Sequence, residues 1–216
     1  MTYSALLLLG LLRDDFKRLD KEGILKSIKD RQVLNDSCNN NYGSFCPLPS
    51  SSECDIRMVY CACAISEILN DFSSINIPAT LSFISNCRSY DGSYSQTPNG
   101  EGQGGTTYCA LASLELINNH LCKYKDNQQI SQLLTDDEID ESYRWLIHRQ
   151  NNGFSGRINK VSDSCYSFWC RGALKSLQSL SLNKILNFND DDDIHFLLSC
   201  GVPLGGFSKY PNSYAG

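Results

Sequence analysis

Histidine and positive charge are both scarce in this 216-residue chain, which has three His and 19 Lys and Arg against 24 Asp and Glu. The resulting net charge of −5 argues against a nucleic-acid binder, because nucleic acids are gripped largely through their phosphates by Lys and Arg. The few histidines leave little for a metal. His120 lies near a helix end beside Asn118 and Asn119, His148 sits next to Arg149, and His195 follows an acidic run, so none reads as a ligand. No apolar run is long enough to cross a bilayer. The opening stretch through Leu12 lacks a basic leading region, and no small-residue cleavage pattern follows it. It reads as a buried helix, with a secretory signal as the alternative. Strict strand-like alternation is never sustained.

Cysteine, by contrast, is plentiful, with eleven residues. In a small secreted chain that number would imply disulfides. Here Cys61, Cys63 and Cys109 fall on apolar helical faces, where a free thiol behaves as a small hydrophobe. The expectation is a reducing, cytoplasmic compartment and no transmembrane segment. The length suits a single domain with a sizeable core.

Helical periodicity dominates. Ile56, Val59, Tyr60 and Cys63 share a face, as do Ile139, Tyr143, Leu146 and Ile147, and as do Leu174, Leu177 and Leu180. Pro78 suits the first turn of a helix, and Thr135 to Glu138 forms an acidic helix start. Gly43-Ser44-Phe45, Gly92-Ser93-Tyr94, Gly153-Phe154-Ser155 and Gly205-Gly206-Phe207 recur every 50 to 60 residues or roughly so, the mark of a repeated unit. Each of the first three is followed by a loop and then a helix opening near a Tyr–Cys or Cys–Tyr pair: Tyr60-Cys61, Tyr108-Cys109, Cys165-Tyr166. Each unit is a helical hairpin that cannot bury its own apolar face. Stacked hairpins extend as a solenoid or close into a ring, and in a ring the equivalent helix starts meet in one funnel. The run Asp190 to Asp193 reads as a solvated interhelical loop.

The densest chemistry lies between Gly153 and Trp169. Asp163 and Cys165 are a carboxylate and a thiol of zinc-binding type. Arg157 and Lys160 are cations suited to phosphate. Taken singly, Asp163 is a helix N-cap, Cys165 a core thiol, and Arg157 with Lys160 an exposed basic loop.

Three blocks resemble the β subunits of protein prenyltransferases. They run from Asp55 through Arg57 and Tyr60 to Ala62, from Gly104 through Cys109, and from Gly153 through Trp169. Within that family the type I geranylgeranyl branch is nearest. The resemblance implies an all-α fold, an α/α barrel (toroid) of repeated helical hairpins that is incomplete at both ends. It also implies a partner α subunit, a zinc ion, geranylgeranyl diphosphate, and a protein substrate ending in a Cys-a-a-X (CaaX) motif. By the same resemblance Asp163 and Cys165 are the first two zinc ligands, and Arg157, Lys160 and Tyr166 grip the diphosphate. Trp169 and Cys109 line the isoprenoid channel, and Arg57 and Tyr60 lie near the peptide and prenyl chain. Lys209 replaces the aspartate of the farnesyl branch and neutralises the leaving diphosphate directly, with no magnesium.

Three departures accompany the resemblance. The family's third zinc ligand, a histidine, follows the segment matching Lys209 to Ser213, and the sequence ends at Gly216 without it. The family's histidine before the Gly104-Gly105 pair is Gln103 here, which donates a hydrogen bond but carries no charge. Met1 matches a point well inside the family sequence. Two other readings stay open: a farnesyl- or Rab-type β subunit, and a non-catalytic helical-repeat interaction protein derived from one. A triterpene cyclase is more distant, because no acidic protonating motif is present.

Overall fold

Short polar side chains set the helix starts in the computed structural model, which describes residues 2–35, 40–49, 51–124, 133–181, 185–188 and 190–213. Asp55, in extended backbone, accepts from the Arg57 amide and opens α3 (Ile56–Leu69), after α1 (Thr2–Leu11) and α2 (Lys21–Lys29). Asn76 caps α4 (Ile77–Asn86), with Pro78 in its first turn, and α5 (Gly104–Tyr124) follows. Thr135 and Glu138 exchange hydrogen bonds at the head of α6 (Asp136–Ile147). Asp163 accepts from the Cys165 amide and opens α7 (Ser164–Leu180), and α8 (Asp190–Ser199) comes last. Each such cap satisfies an amide that the first helical turn leaves without a partner. The only named strands among the described residues are β1 (Gln150–Asn151) and β2 (Gly153–Phe154), an antiparallel two-residue pair.

The helices stack as hairpins. One row runs α1, α3, α5, α7, each packed on the next, while α2, α4 and α6 pack on α3, α5 and α7 respectively. The apolar stripes read from the sequence lie between them: Ile56, Val59 and Cys63, Ile139 and Leu146, and Leu174 and Leu177 are completely enclosed. Complete burial of an aliphatic side chain is worth about 1.5–3 kcal/mol, so these stripes hold the rows together.

The repeat is real, but its frame shifts in the third unit. Gln32 bridges to Phe45, Arg88 to Tyr94, Gln150 to Phe154, and Gly201 to Phe207. In this frame the residue two before the aromatic takes the left-handed conformation: Gly43 at φ +90°, Gly92 at +86°, Asn152 at +59° and Gly205 at +98°. The third unit is therefore Asn152-Gly153-Phe154 and not Gly153-Phe154-Ser155. Asparagine tolerates left-handed backbone, so glycine is not required there.

Each of the first three turns is covered by the second helix of the following hairpin. A Cβ on Gly43 would collide with the backbone of Ala79 in α4, one on Gly92 with the backbone of Glu141 in α6, and one on Gly153 with the Phe196 ring on α8. Phe45, Tyr94 and Phe154 are buried accordingly, at 3%, 1% and 0% exposure. Around Gly205 an added Cβ would meet nothing, and Phe207 is 57% exposed.

Three expectations need correction. Asp190 to Asp193 are not a loop but the first turn of α8, where acidic groups face the positive end of the helix dipole. Asp193 is fully buried and accepts from the Ser167 hydroxyl at 2.6 Å through one oxygen, while the other has no hydrogen-bond partner. The opening helix α1 is only partly buried. Leu6 is enclosed against the core, whereas Leu7, Leu8 and Leu11 are exposed, because the packing of α1 is chiefly against α3. The cysteines are not all thiols either. The chain leaving the first glycine turn folds back before α3 and joins Cys46 to Cys54 in a disulfide, with eight other described cysteines free.

Two outcomes follow for stability. Gly92→Ala combines left-handed strain with a backbone clash and should cost about 2–4 kcal/mol, whereas Gly205→Ala carries strain alone and should cost about 1–2 kcal/mol, both by denaturant unfolding. Burial raises the Asp193 pKa above 3.8, so its contribution is fully present below that pH and is lost as pH rises through the folded value. Asp193→Asn should therefore stabilise the fold at neutral pH, and the gain should vanish in acid on a pH series of thermal melts.

Candidate functional site

The starts of α1, α3, α5 and α7 converge on one cavity of about 530 Å³. Arg57 and Tyr60 come from the head of α3, Gln103 from the residue before α5, Cys109 from its second turn, and Tyr166 and Trp169 from the head of α7. Arg157 reaches the same space from the loop before α7. The glycines let these parts close up. A side chain at Gly156 would run into the Tyr166 ring and one at Gly104 into the Cys170 sulfur, and the Gly104 amide donates to the Gly156 carbonyl at 2.9 Å. The first amides of α3, α5 and α7 are taken by caps and neighbouring carbonyls, so what these helix starts offer an anion at this mouth is the positive end of the helix dipole.

The wall is aromatic. Tyr3 and Tyr60 pack edge-on at 5.7 Å between centroids, Tyr60 and Tyr108 at 5.3 Å, and Tyr108 and Trp169 at 5.4 Å, with Phe168 against both Tyr108 and Trp169. The Tyr3 hydroxyl donates to Tyr60 at 3.3 Å, and the Tyr60 and Tyr108 hydroxyls share a bond of 3.2 Å. Burial pushes the Tyr60 and Tyr108 phenols up, so both stay neutral. The Cys109 thiol is pushed up to about 12 by burial and is inert packing.

The rim is polar. The Gln103 side-chain amide donates to the Tyr166 hydroxyl at 2.9 Å and accepts from the Gly105 amide. Arg157 pairs with Glu101 at 3.0 Å, and both side chains reach solvent. Arg57 is held by the buried carboxylate of Asp55 at 2.6 Å and approached by Glu53 at 3.5 Å.

Of the residues singled out from sequence, Arg57, Tyr60, Gln103, Cys109, Arg157, Tyr166 and Trp169 share the cavity. Lys160 does not line it and points to solvent from the loop after Arg157. Lys209 is exposed, with its ammonium 3.8 Å from Asp163. The strand of chain at 208–209 is tied to the head of α7, where the Ser164 amide donates to the Lys209 carbonyl at 2.8 Å and the Ser164 hydroxyl to the Ser208 carbonyl at 2.8 Å. Tyr3, Phe168, Gln96 and Glu101 also line the cavity, and Tyr108 backs its wall through ring contacts with Tyr60, Phe168 and Trp169. Tyr3 was hidden in an apolar segment, although it is the one aromatic at the head of that helix. Gln96 and Glu101 sit in loops without periodicity.

Asp163 and Cys165 adjoin each other at the head of α7 but do not line the cavity. The Cys165 thiol is pushed up to about 12 by burial and by the adjoining Asp163 carboxylate. Among the described residues no three His, Cys, Asp or Glu side chains converge as metal ligands. His120 stacks on Phe72 at 4.5 Å, and His148 ends α6. Residues 214–216 lie outside the described residues. A catalytic zinc takes three protein ligands, so this two-donor set does not by itself make a zinc site.

A family model described as the prenyltransferase alpha-alpha toroid domain matches residues 1–215. The chain belongs to the prenyltransferase alpha-alpha toroid family. It is similar to a protein from Arabidopsis thaliana named geranylgeranyl transferase type-1 subunit beta, at 36% identity over 214 residues covering 97% of this chain and 52% of the relative. A Dictyostelium discoideum protein of the same name is 36% identical over 188 residues, covering 87% and 48%. Among solved structures, Candida albicans protein geranylgeranyltransferase-I complexed with GGPP superposes with a TM-score of 0.79 at 27% identity, covering 99% of this chain and 61% of that one. The chain thus spans about half the length of the curated relatives it matches. The stacked hairpins are those of a prenyltransferase alpha-alpha toroid domain.

Asp163 has a capping role separable from its charge. Asp163→Ala should cost about 1 kcal/mol of stability, and Asp163→Asn, which caps equally well, close to nothing. Urea unfolding of the two variants checks this.

Proposed function

We propose that this chain acts as the β subunit of a type I protein geranylgeranyltransferase, joining a geranylgeranyl group to the cysteine thiol of proteins that end in a Cys-a-a-X motif. The observation that carries the reading is the pairing, in one cavity, of an aromatic wall with an anion-friendly rim. An isoprenoid diphosphate is an apolar tail on an anionic head, and this space offers a surface to each. The names of the relatives and the lysine at position 209 favour the geranylgeranyl branch over the farnesyl one.

The tail lies along Tyr60, Phe168 and Trp169, which Tyr108 backs, and each buried CH₂ contributes about 0.8 kcal/mol. The head sits at Arg157, Tyr166 and Gln103, over the starts of α5 and α7. As the carbon–oxygen bond breaks, negative charge grows on the bridging oxygen. The Arg157 guanidinium and the Tyr166 hydroxyl hydrogen-bond to that charge where it develops. Lys160 and Lys209 are solvent-facing here, and they contribute by swinging toward the departing diphosphate, with no magnesium needed. Zinc would require Asp163, Cys165 and a further donor from outside the described residues, and would there lower the pKa of the substrate thiol. An α subunit is the expected partner and the cytoplasm the expected location. Among the described residues no helix is long and apolar enough to cross a membrane.

Co-production with a prenyltransferase α subunit, in the presence of zinc, tests the reading. Labelled geranylgeranyl diphosphate and a peptide ending in Cys-a-a-Leu should give a geranylgeranyl thioether, with farnesyl diphosphate a poorer donor. Absence of both transfer and prenyl-diphosphate binding would favour the second reading, a helical-repeat interaction protein, to which the uncharged Gln103 points. Gln103→His should tighten pyrophosphate binding by about threefold to tenfold near pH 6 but not at pH 8, because only the protonated ring adds charge.

A further inference from the structure

Two arginines border the cavity, and their counter-ions differ. Arg157 is paired with Glu101, whose side chain is 69% exposed, so water and salt screen that pair and an anionic ligand can displace it. Arg57 is paired with Asp55, which is 1% exposed and cannot swing away. The Asp55 carboxylate takes Arg57 Nε at 3.1 and 3.2 Å, Arg57 Nη2 at 2.6 Å, and the Arg57 backbone amide at 2.9 Å. Gln96 braces it further, its Nε2 donating to Asp55 at 2.9 Å while its backbone carbonyl receives the Ile56 amide at 3.0 Å. Glu53 adds a second carboxylate at 3.5 Å from Nη2. The guanidinium is therefore fixed and its charge cancelled, and Nη1 is the arm that neither carboxylate takes.

We infer that Asp55 is a positioning residue that excludes the diphosphate from the Arg57 side of the cavity, confining the anion to Arg157 and leaving Arg57 a donor for an uncharged acceptor on the second substrate. This rests on the proposed function for the identity of the substrates, but not for its test. An uncompensated arginine at a cavity mouth attracts a polyanion as readily as Arg157 does, and a diphosphate bound there would occupy the space of the acceptor peptide. One buried carboxylate thus gives the two ends of the cavity different chemistry.

The test is equilibrium binding of inorganic pyrophosphate to the chain in complex with an α subunit, by calorimetry. Asp55→Asn keeps the N-cap of α3, because asparagine caps as well as aspartate, but strips the charge from beside Arg57. The variant should bind pyrophosphate about tenfold more tightly or at a second site, and Asp55→Asn combined with Arg57→Gln should lose that gain. A folded Asp55→Asn protein with unchanged pyrophosphate binding overturns the inference. Arg57→Gln alone covers the case in which Asp55→Asn does not fold. It should change the parent's pyrophosphate affinity by less than about twofold, and a loss of about tenfold would show Arg57 already holding the anion. These readouts need no prenyl transfer. A complex that neither transfers nor binds prenyl diphosphate yet shows the Asp55→Asn gain would sink the proposed function and leave this inference standing.

Discussion

A turn that cannot carry a side chain against the next hairpin is the constraint from which the rest of the structure follows. At Gly43 and Gly92 the left-handed backbone lets the turn lie directly on the main chain of α4 and α6. That contact seals Phe45 and Tyr94 in the core and fixes the offset between successive hairpins. Because the offset repeats, the heads of α1, α3, α5 and α7 arrive at one place. The cavity is a consequence of stacking, and its lining follows from which residues occupy the first turns of those helices.

The same first turns carry both structural and chemical duties. Asp55 and Asp163 each cap a helix, and each stands beside a cation, Arg57 in one case and Lys209 in the other. Helix heads are where amides lack partners and where the dipole is positive, so side chains that stabilise the helix there also shape the electrostatics of the space above it. The aromatic wall, by contrast, is uncharged throughout, because burial keeps the Tyr60 and Tyr108 phenols protonated. An amphiphilic ligand would find its two environments separated along one short path.

Much of this was legible in the sequence. The apolar stripes of α3, α6 and α7 and the caps at Thr135 and Asp163 follow from period and side-chain chemistry, and the structure keeps them. The recurring glycine–aromatic turn was visible too, but its third copy was misplaced by one residue, because Asn152 does the work of glycine and composition alone does not reveal a φ angle. The acidic run at Asp190 reads as solvated when only its charge is counted. Its burial at Asp193 depends on Ser167 from another helix, a long-range contact that no local pattern encodes. Tyr3 and Gln96 reach the cavity only because distant segments are brought together, and the Cys46–Cys54 bond depends on a loop path that spacing does not define.

The central claim is that this cavity holds an isoprenoid diphosphate with its tail on the aromatic wall and its head at Arg157. The most direct measurement is photo-crosslinking with a geranylgeranyl diphosphate analogue bearing a benzophenone at the tail, followed by peptide mapping. The account predicts label in the peptides carrying Tyr60, Tyr108 and Trp169, competed away by unlabelled geranylgeranyl diphosphate and lost in Arg157→Ala. Label confined to other surfaces, or indifferent to both competitor and Arg157, would contradict it.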